Sequence, residues 1–184
     1  MKSSKLQNKS FHDAYVPSED TFFFADCITN ETGDSALEIG TGSGYLAKIL
    51  QEKFSVVVGT DINHSALKSQ DYKIQNSVCC NGADSLKKEF DLVICNLPYL
   101  PSDMIHDVTT DGGPEGLVIP LEIINSAVSH IKPGGKLLFL TSSLANYESL
   151  IEKTTAMGFS VVILAKKPLF FEELIIVQAT KLSF

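Results

Sequence analysis

The stretch "ALEIGTGSGYLAKIL", residues 36–50, joins a short apolar run to a helical pattern through Gly40, Gly42 and Gly44. Glycines in that position let a backbone approach a ligand closely, and the helix beyond points its free N–H groups at it. The spacing is G-x-G-x-G, and residue 45 is Tyr, so the dinucleotide pattern G-x-G-x-x-G is absent. Glu38 stands two residues before the first glycine. A carboxylate there repels phosphate and suits a cationic ligand, which favours a nucleoside bearing positive charge. Strand, glycine turn and helix form the unit from which α/β sheets are built.

Outward from this unit, β-type runs alternate with helical segments. Strands are predicted over 35–40, 55–61, 90–96, 135–141, 159–167 and 173–181, with a weaker one near 77–80. Helices are predicted over 43–53, 64–75, 119–131 and 144–156. Continuous apolar strands alternating with helices indicate a parallel sheet covered on both faces. The last two strands are separated only by "PLFFEE", too short for a right-handed crossover, so they pair as an antiparallel hairpin. Ahead of the sheet, "PSEDTFFFADCITN" reads as a helix with Ser18 as N-cap and Glu19 and Asp20 in its first turn.

A chain of 184 residues suits one well-buried core, and its 44% hydrophobic and 20% charged content is that of a globular domain. Residues 1–12 read as a mobile lead and 13–184 as one domain. No apolar run reaches membrane-span length and the N-terminus lacks an apolar h-region, so a cytoplasmic protein is expected. Cys27, Cys79, Cys80 and Cys95 form no CxxC pair and read as buried reduced thiols. The four histidines are scattered, and no metal site is expected. Net charge is −7, which disfavours direct gripping of a nucleic-acid backbone.

Asp61 closes the second predicted strand, where an acid can accept both ribose hydroxyls of a nucleoside. Asp84, in "GADSL", is placed to accept from an exocyclic amine. The run "FDLVICNLPYLPSDM", residues 90–104, ends a buried strand in Asn96-Leu97-Pro98-Tyr99. Ligands of open α/β sheets bind beyond the strands' carboxyl ends, so this tetrapeptide faces the site. An amide, a fixed backbone bend and an aromatic ring at that end suit a site that holds something flat and polar. Pro98 fixes the local φ, and Tyr99 can pack on a flat group.

Glu38, the three glycines, Asp61 and Asp84 together resemble the S-adenosylmethionine site of class I methyltransferases, as "IKPGGKLLFL" resembles that family's fifth strand. The resemblance covers residues 35–181 and implies a Rossmann-like, seven-stranded, mostly parallel sheet with an antiparallel last strand and helices on both faces. It adds Ile62 and Ser85, neighbours of the two acids, to the cofactor set, together with Asn96. Asn96-Leu97-Pro98-Tyr99 is similar to the [N/D/S]-P-P-[Y/F] motif of methyltransferases acting on planar amide or amino nitrogens, and the resemblance implies that the Asn96 carbonyl and a backbone carbonyl of Leu97 or Pro98 accept both N–H bonds of such a nitrogen. With Leu at its second position the motif also occurs in ribosomal RNA adenine dimethylases, which carry a further helical domain and a basic face.

"YVPSEDTFFFADCI", residues 15–28, resembles the leading helix of the small HemK-type methyltransferases of eukaryotes and archaea, and the likeness continues through "DINHSAL" and "DGGPEGLVIPLEII". These methylate the glutamine of the Gly-Gly-Gln motif in class I translation termination factors. By that resemblance Thr21 touches the cofactor, residues 15–20 lid it, and a small zinc-binding activator adds to the edge of the sheet at "SVCC". Lysine and DNA acceptors also occur in the family. The alternatives are an adenine N6-methyltransferase and a non-catalytic methyltransferase-like subunit. Residues 111–116 read as a tight mobile turn.

Overall fold

Residues 16–183 are described by the computed structural model; the lead over 1–12 and Tyr15 of the expected lid lie outside them. The order is α1 (Glu19–Ile28), β1 (Gly33–Ile39), α2 (Tyr45–Leu50), β2 (Phe54–Asp61), α3 (His64–Lys68), β3 (Asn76–Cys79), β4 (Phe90–Asn96), β5 (Leu100–Pro101), β6 (Asp111–Gly113), α4 (Val118–Ala127), β7 (Ile131–Ser142), α5 (Tyr147–Ala156), β8 (Phe159–Pro168) and β9 (Glu173–Lys181). Seven strands form one sheet in the order β3-β2-β1-β4-β7-β9-β8. The pairs β3–β2, β2–β1, β1–β4 and β4–β7 are parallel. β9 runs antiparallel to both neighbours, β7 and β8, as the short connection between the last two strands required.

Alternation along the strands builds a core on each face. Leu37, Ile39, Leu137 and Phe139 point one way and pack with Ile124 of α4 and Leu150 of α5. Leu138, Leu140 and Ile176 point the other way and pack with Phe24 and Ile28 of α1 and Leu46 and Leu50 of α2. Both faces are covered, which is why β1, β4 and β9 each contain an unbroken run of buried residues. No described helix is long and apolar enough to cross a membrane.

Helix α3 is shorter than predicted, ending at Lys68. The chain then turns back on the glycine loop: Tyr72 donates its N–H to the Ser43 carbonyl, and Gln70 is buried. That tertiary bond overrides the local helical pattern. Of the cysteines, all free, only Cys95 is buried; Cys79 is exposed and Cys27 and Cys80 are intermediate, contrary to the reading of four buried thiols.

Residues 111–116 are not a free turn. Asp111–Gly113 pairs in parallel with Leu100–Pro101. A Cβ on Gly112 would stand 2.6 Å from the Pro98 carbonyl oxygen, and one on Gly116 2.2 Å from that of Tyr99. The glycines let this segment lie directly on the backbone that follows β4.

Gly116 (φ +65) and Gly134 (φ +75) both adopt the left-handed conformation, but a Cβ on Gly134 would meet nothing within 4 Å. Gly134→Ala is expected to cost about 1–2 kcal/mol through the backbone alone. Gly116→Ala should cost clearly more, since the Tyr99 carbonyl also stands in the way. Urea denaturation of the two variants compares them, and equal losses would show that the 111–116 segment yields freely.

Candidate active site

Ile39 of β1 lies opposite Cys95 of β4 and, on the other side, Thr60 of β2. The glycine turn, Asp61 and Asn96 therefore leave the sheet as neighbours at its carboxyl edge. Between them is a cavity of about 380 Å³, within the range typical of small-molecule sites.

Glu38 lies beneath the turn, buried, and does not line the cavity. Its Oε2 accepts from the Thr41 hydroxyl at 2.8 Å and from the Ala47 N–H at 2.7 Å, tying the turn to the start of α2. Burial pushes its carboxyl up to about 8, against the pull of those two hydrogen bonds. Gly40 and Gly42 line the cavity, whereas Gly44 does not. A Cβ on Gly44 would come 2.1 Å from the Tyr72 carbonyl oxygen, so this glycine permits a packing contact behind the turn.

Asp61 lines the cavity and supports the turn from the other side. Its Oδ2 accepts from the Gly42 N–H at 2.9 Å and its Oδ1 from the Asn63 N–H at 2.8 Å. Each carboxylate oxygen keeps a second lone pair, so two ribose hydroxyls can still be accepted. Ile62 forms the adjoining wall. Asp84 and Ser85 are exposed and stand outside the cavity; Cys80, Asn81 and Gly82 take that wall instead. The cause is local: Ala83 is buried, its N–H bonded to the Ser126 hydroxyl at 3.2 Å, which turns the next two residues outward.

At the other end of the cavity, Asn96 Nδ2 donates to Asp20 Oδ2 at 3.1 Å. Asn96 Oδ1 is buried without a hydrogen-bond partner among the described residues, as is the hydroxyl of Thr60. Leu97, Pro98 and Tyr99 continue the wall, faced by Ile105 and Val108 from the loop between β5 and β6 and by Ile119 and Ile123 of α4. Thr21 is buried in the first turn of α1 and does not reach the cavity; the residue that does is Asp20. In the sequence Asp20 stands at a helix start, where acids are common, and that ordinary role conceals it.

The lining carries four carboxylates, of Asp20, Asp61, Asp111 and Glu122, and no Lys, Arg or His among the described residues. Asp111 is held as an anion, its carboxyl lowered by backbone bonds from Asp107 and His106 at 3.0 and 2.8 Å. Such a wall repels phosphate and attracts a cation.

Glu38 also gives the fold a pH dependence. Its folded pKa is raised above the ordinary 4.5 to about 8, so between those values the native state holds a proton that the unfolded state has lost. Stability then falls as pH rises through this window and levels above it. Glu38→Gln should flatten that fall. Thermal melting of both proteins across the window measures the difference, and parallel curves would show that Glu38 does not titrate there.

Residues 19–167 match the methyltransferase small domain family. A Methanocaldococcus jannaschii protein named as a protein N5-glutamine methyltransferase is 30% identical over 190 residues, covering 96% of each chain. The eRF1 methyltransferase catalytic subunit mtq2 of Schizosaccharomyces pombe is 24% identical, over 86% of this chain and 85% of that one. Among solved structures, a chain of the E. cuniculi Mtq2-Trm112 complex, which methylates the eRF1 translation termination factor, superposes with a TM-score of 0.78 at 27% identity. That likeness covers 92% of this chain and 99% of the other. A matching family model over most of the chain, on a seven-stranded sheet whose last strand is reversed, leads to one conclusion: this chain belongs to the methyltransferase small domain family, among the class I S-adenosylmethionine-dependent methyltransferases of HemK type.

Proposed function

We propose that this chain methylates the side-chain nitrogen of a protein glutamine, in the Gly-Gly-Gln motif of a class I translation termination factor. The observation that carries the reading is Asn96 Oδ1, a buried acceptor without a partner among the described residues, at the end of the strand beside the glycine turn.

S-adenosylmethionine supplies, when bound, an electrophilic methyl on a positively charged sulfur. The four-carboxylate lining without cationic side chains fits that charge. Gly40, Gly42, Asp61 and Ile62 would hold the cofactor directly. Glu38 and Gly44 shape the turn from behind, and Thr21 supports Asp20. In this conformation Asn81 and Gly82 occupy the place assigned to Asp84 and Ser85.

The nitrogen of a glutamine amide is a poor nucleophile because its lone pair is delocalised into the carbonyl. Asn96 Oδ1 and the backbone carbonyl of Leu97 or Pro98 accept its two N–H bonds, hold its plane, and stabilise the charge that grows on nitrogen. Pro98 fixes the course of the backbone there, and Tyr99 packs beside the flat amide.

A partner subunit is part of the proposal. β3 is an edge strand, exposed along most of its length, and Ile62 and Tyr72 are exposed large apolar residues near its end of the sheet. A small zinc-binding activator adding a strand there would cover both.

The test is transfer of labelled methyl by the chain, with and without the activator, to a termination factor, its Gln→Ala variant and an adenine-containing duplex. Label on the wild-type factor alone is expected. Label on the duplex alone would replace this reading with adenine methylation. Asn96→Ala should lower kcat about 100- to 1000-fold with cofactor affinity unchanged, whereas lost affinity would assign Asn96 to the cofactor or the fold. Asp61→Ala should weaken cofactor binding.

A cation binding near Glu38 favours its charged form, so cofactor binding near neutral pH should release a proton. S-adenosylhomocysteine, whose sulfur is neutral, should release less, and Glu38→Gln should release none. Calorimetry in buffers of different ionisation enthalpy reads this directly. Equal release by both ligands would place the titrating group away from the sulfur.

A further inference from the structure

We infer that Asp20 is a positioning residue for methyl transfer: by taking the Asn96 amide hydrogen, it decides which end of that amide faces the acceptor nitrogen. The inference rests on the reading of Asn96 as the group that receives the acceptor's N–H.

An Asn side chain presents a donor end and an acceptor end of nearly equal size, so packing alone does not choose between them. Asp20 chooses chemically. An ionised carboxylate only accepts, and its Oδ2 lies 3.1 Å from Asn96 Nδ2. The NH₂ group is thereby turned to α1 and the carbonyl oxygen away from it. That oxygen is the one left buried without a partner among the described residues.

Asp20 is itself held. Its Oδ1 accepts from the Ser18 hydroxyl and the Thr21 N–H, both at 2.6 Å, and the Thr21 hydroxyl lies at 3.3 Å. These groups belong to the start of α1, where a carboxylate is favoured by the free N–H groups. The helix is anchored in turn by Phe24 and Ile28, both fully buried. A contact between residues 76 apart in sequence thus sets the polarity of the acceptor site.

Asp20→Asn removes almost no volume and inverts the logic. The introduced amide keeps its carbonyl on the Thr21 N–H and turns its NH₂ to Asn96. Asn96 then offers its oxygen to α1 and its NH₂ to the pocket, where a donor meets the N–H of the acceptor. The double variant Asp20→Asn/Asn96→Asp restores the contact with donor and acceptor exchanged. Its second carboxylate oxygen again faces the pocket as an acceptor.

The experiment measures kcat, KM for the acceptor protein and calorimetric cofactor affinity on the full chain with its partner subunit. Asp20→Asn should lower kcat about 10- to 100-fold, with the thermal midpoint essentially that of wild type and cofactor affinity weakened by much less than kcat, since three of the four lining carboxylates remain. The double variant should regain about tenfold or more of that loss. A helix-capping role would not produce such rescue. Wild-type kcat in Asp20→Asn overturns the inference, as does a loss that the double variant fails to regain. If Asn96→Ala keeps full transfer, the reading of Asn96 falls first. If Asn96→Ala is inactive while Asp20→Asn is not, the inference about Asp20 falls alone.

Discussion

The parallel pairing of β1 with β4, Ile39 opposite Cys95, sets where each functional group stands. Parallel strands bring their carboxyl ends to one edge, and this register makes the glycine turn and Asn96 neighbours there. A slip of one residue would exchange the faces of β1. Leu37 and Ile39 would turn from the α4–α5 side toward α1 and α2, and Glu38 would lose Thr41 and Ala47. Leu37, Val93 and Ile94 are wholly buried at this pairing, so core packing on two faces guards the register against that slip.

Two acidic side chains then turn a sheet edge into a shaped site. Glu38 holds the glycine turn from below, and Asp20 holds Asn96 from the side. Both work by accepting hydrogen bonds, and each restricts a group that could otherwise take several conformations. The arrangement carries a stability penalty. Glu38 is buried without a cationic partner among its bonded groups, and the oxygens of Asn96 and Thr60 are unmatched among the described residues. Local rules of folding are broken mainly where function needs them broken; Asn96 and Thr60 are such exceptions at the cavity, while Gln70 and Thr141 carry unmatched polar atoms outside it.

The sheet was largely legible in the sequence because its signals are local. Continuous apolar runs mark β4 and β9 to the residue, and the brevity of "PLFFEE" alone forces the final hairpin. Asp61 and Asn96 were legible as strand-end polar residues. What escaped depends on contacts between distant backbones. Nothing in "SQDYKIQ" tells that Tyr72 will bond Ser43 and end α3 early, and nothing in "DGGPEG" that its glycines lie on the carbonyls of Pro98 and Tyr99. Asp84 looked like a cavity acid until the burial of Ala83 turned it outward. Asp20 looked like a helix-start acid, and is one; its second task appears only when β4 is brought beside α1.

The rigidity of the acceptor wall bears on how an acceptor is chosen. A neutral amide needs no deprotonation before attack, and the N-methylated amide cation is acidic enough to give its proton to water once the thioether has left, so a lining without His or Lys among its described residues suffices for the proposed reaction. The requirement is for acceptors that stay in place. Gly112 and Gly116 secure the backbone of Pro98 and Tyr99 at distances that leave no room for a side chain. A segment packed so closely is poorly suited to open and close as a lid. Discrimination between acceptors must then come from the rim, where Ile105 and Val108 are exposed beside the carboxylates of Asp111 and Glu122. An incoming phosphate backbone meets those charges as repulsion, while a polypeptide loop can lay apolar side chains on the two exposed residues and pass a single amide inward.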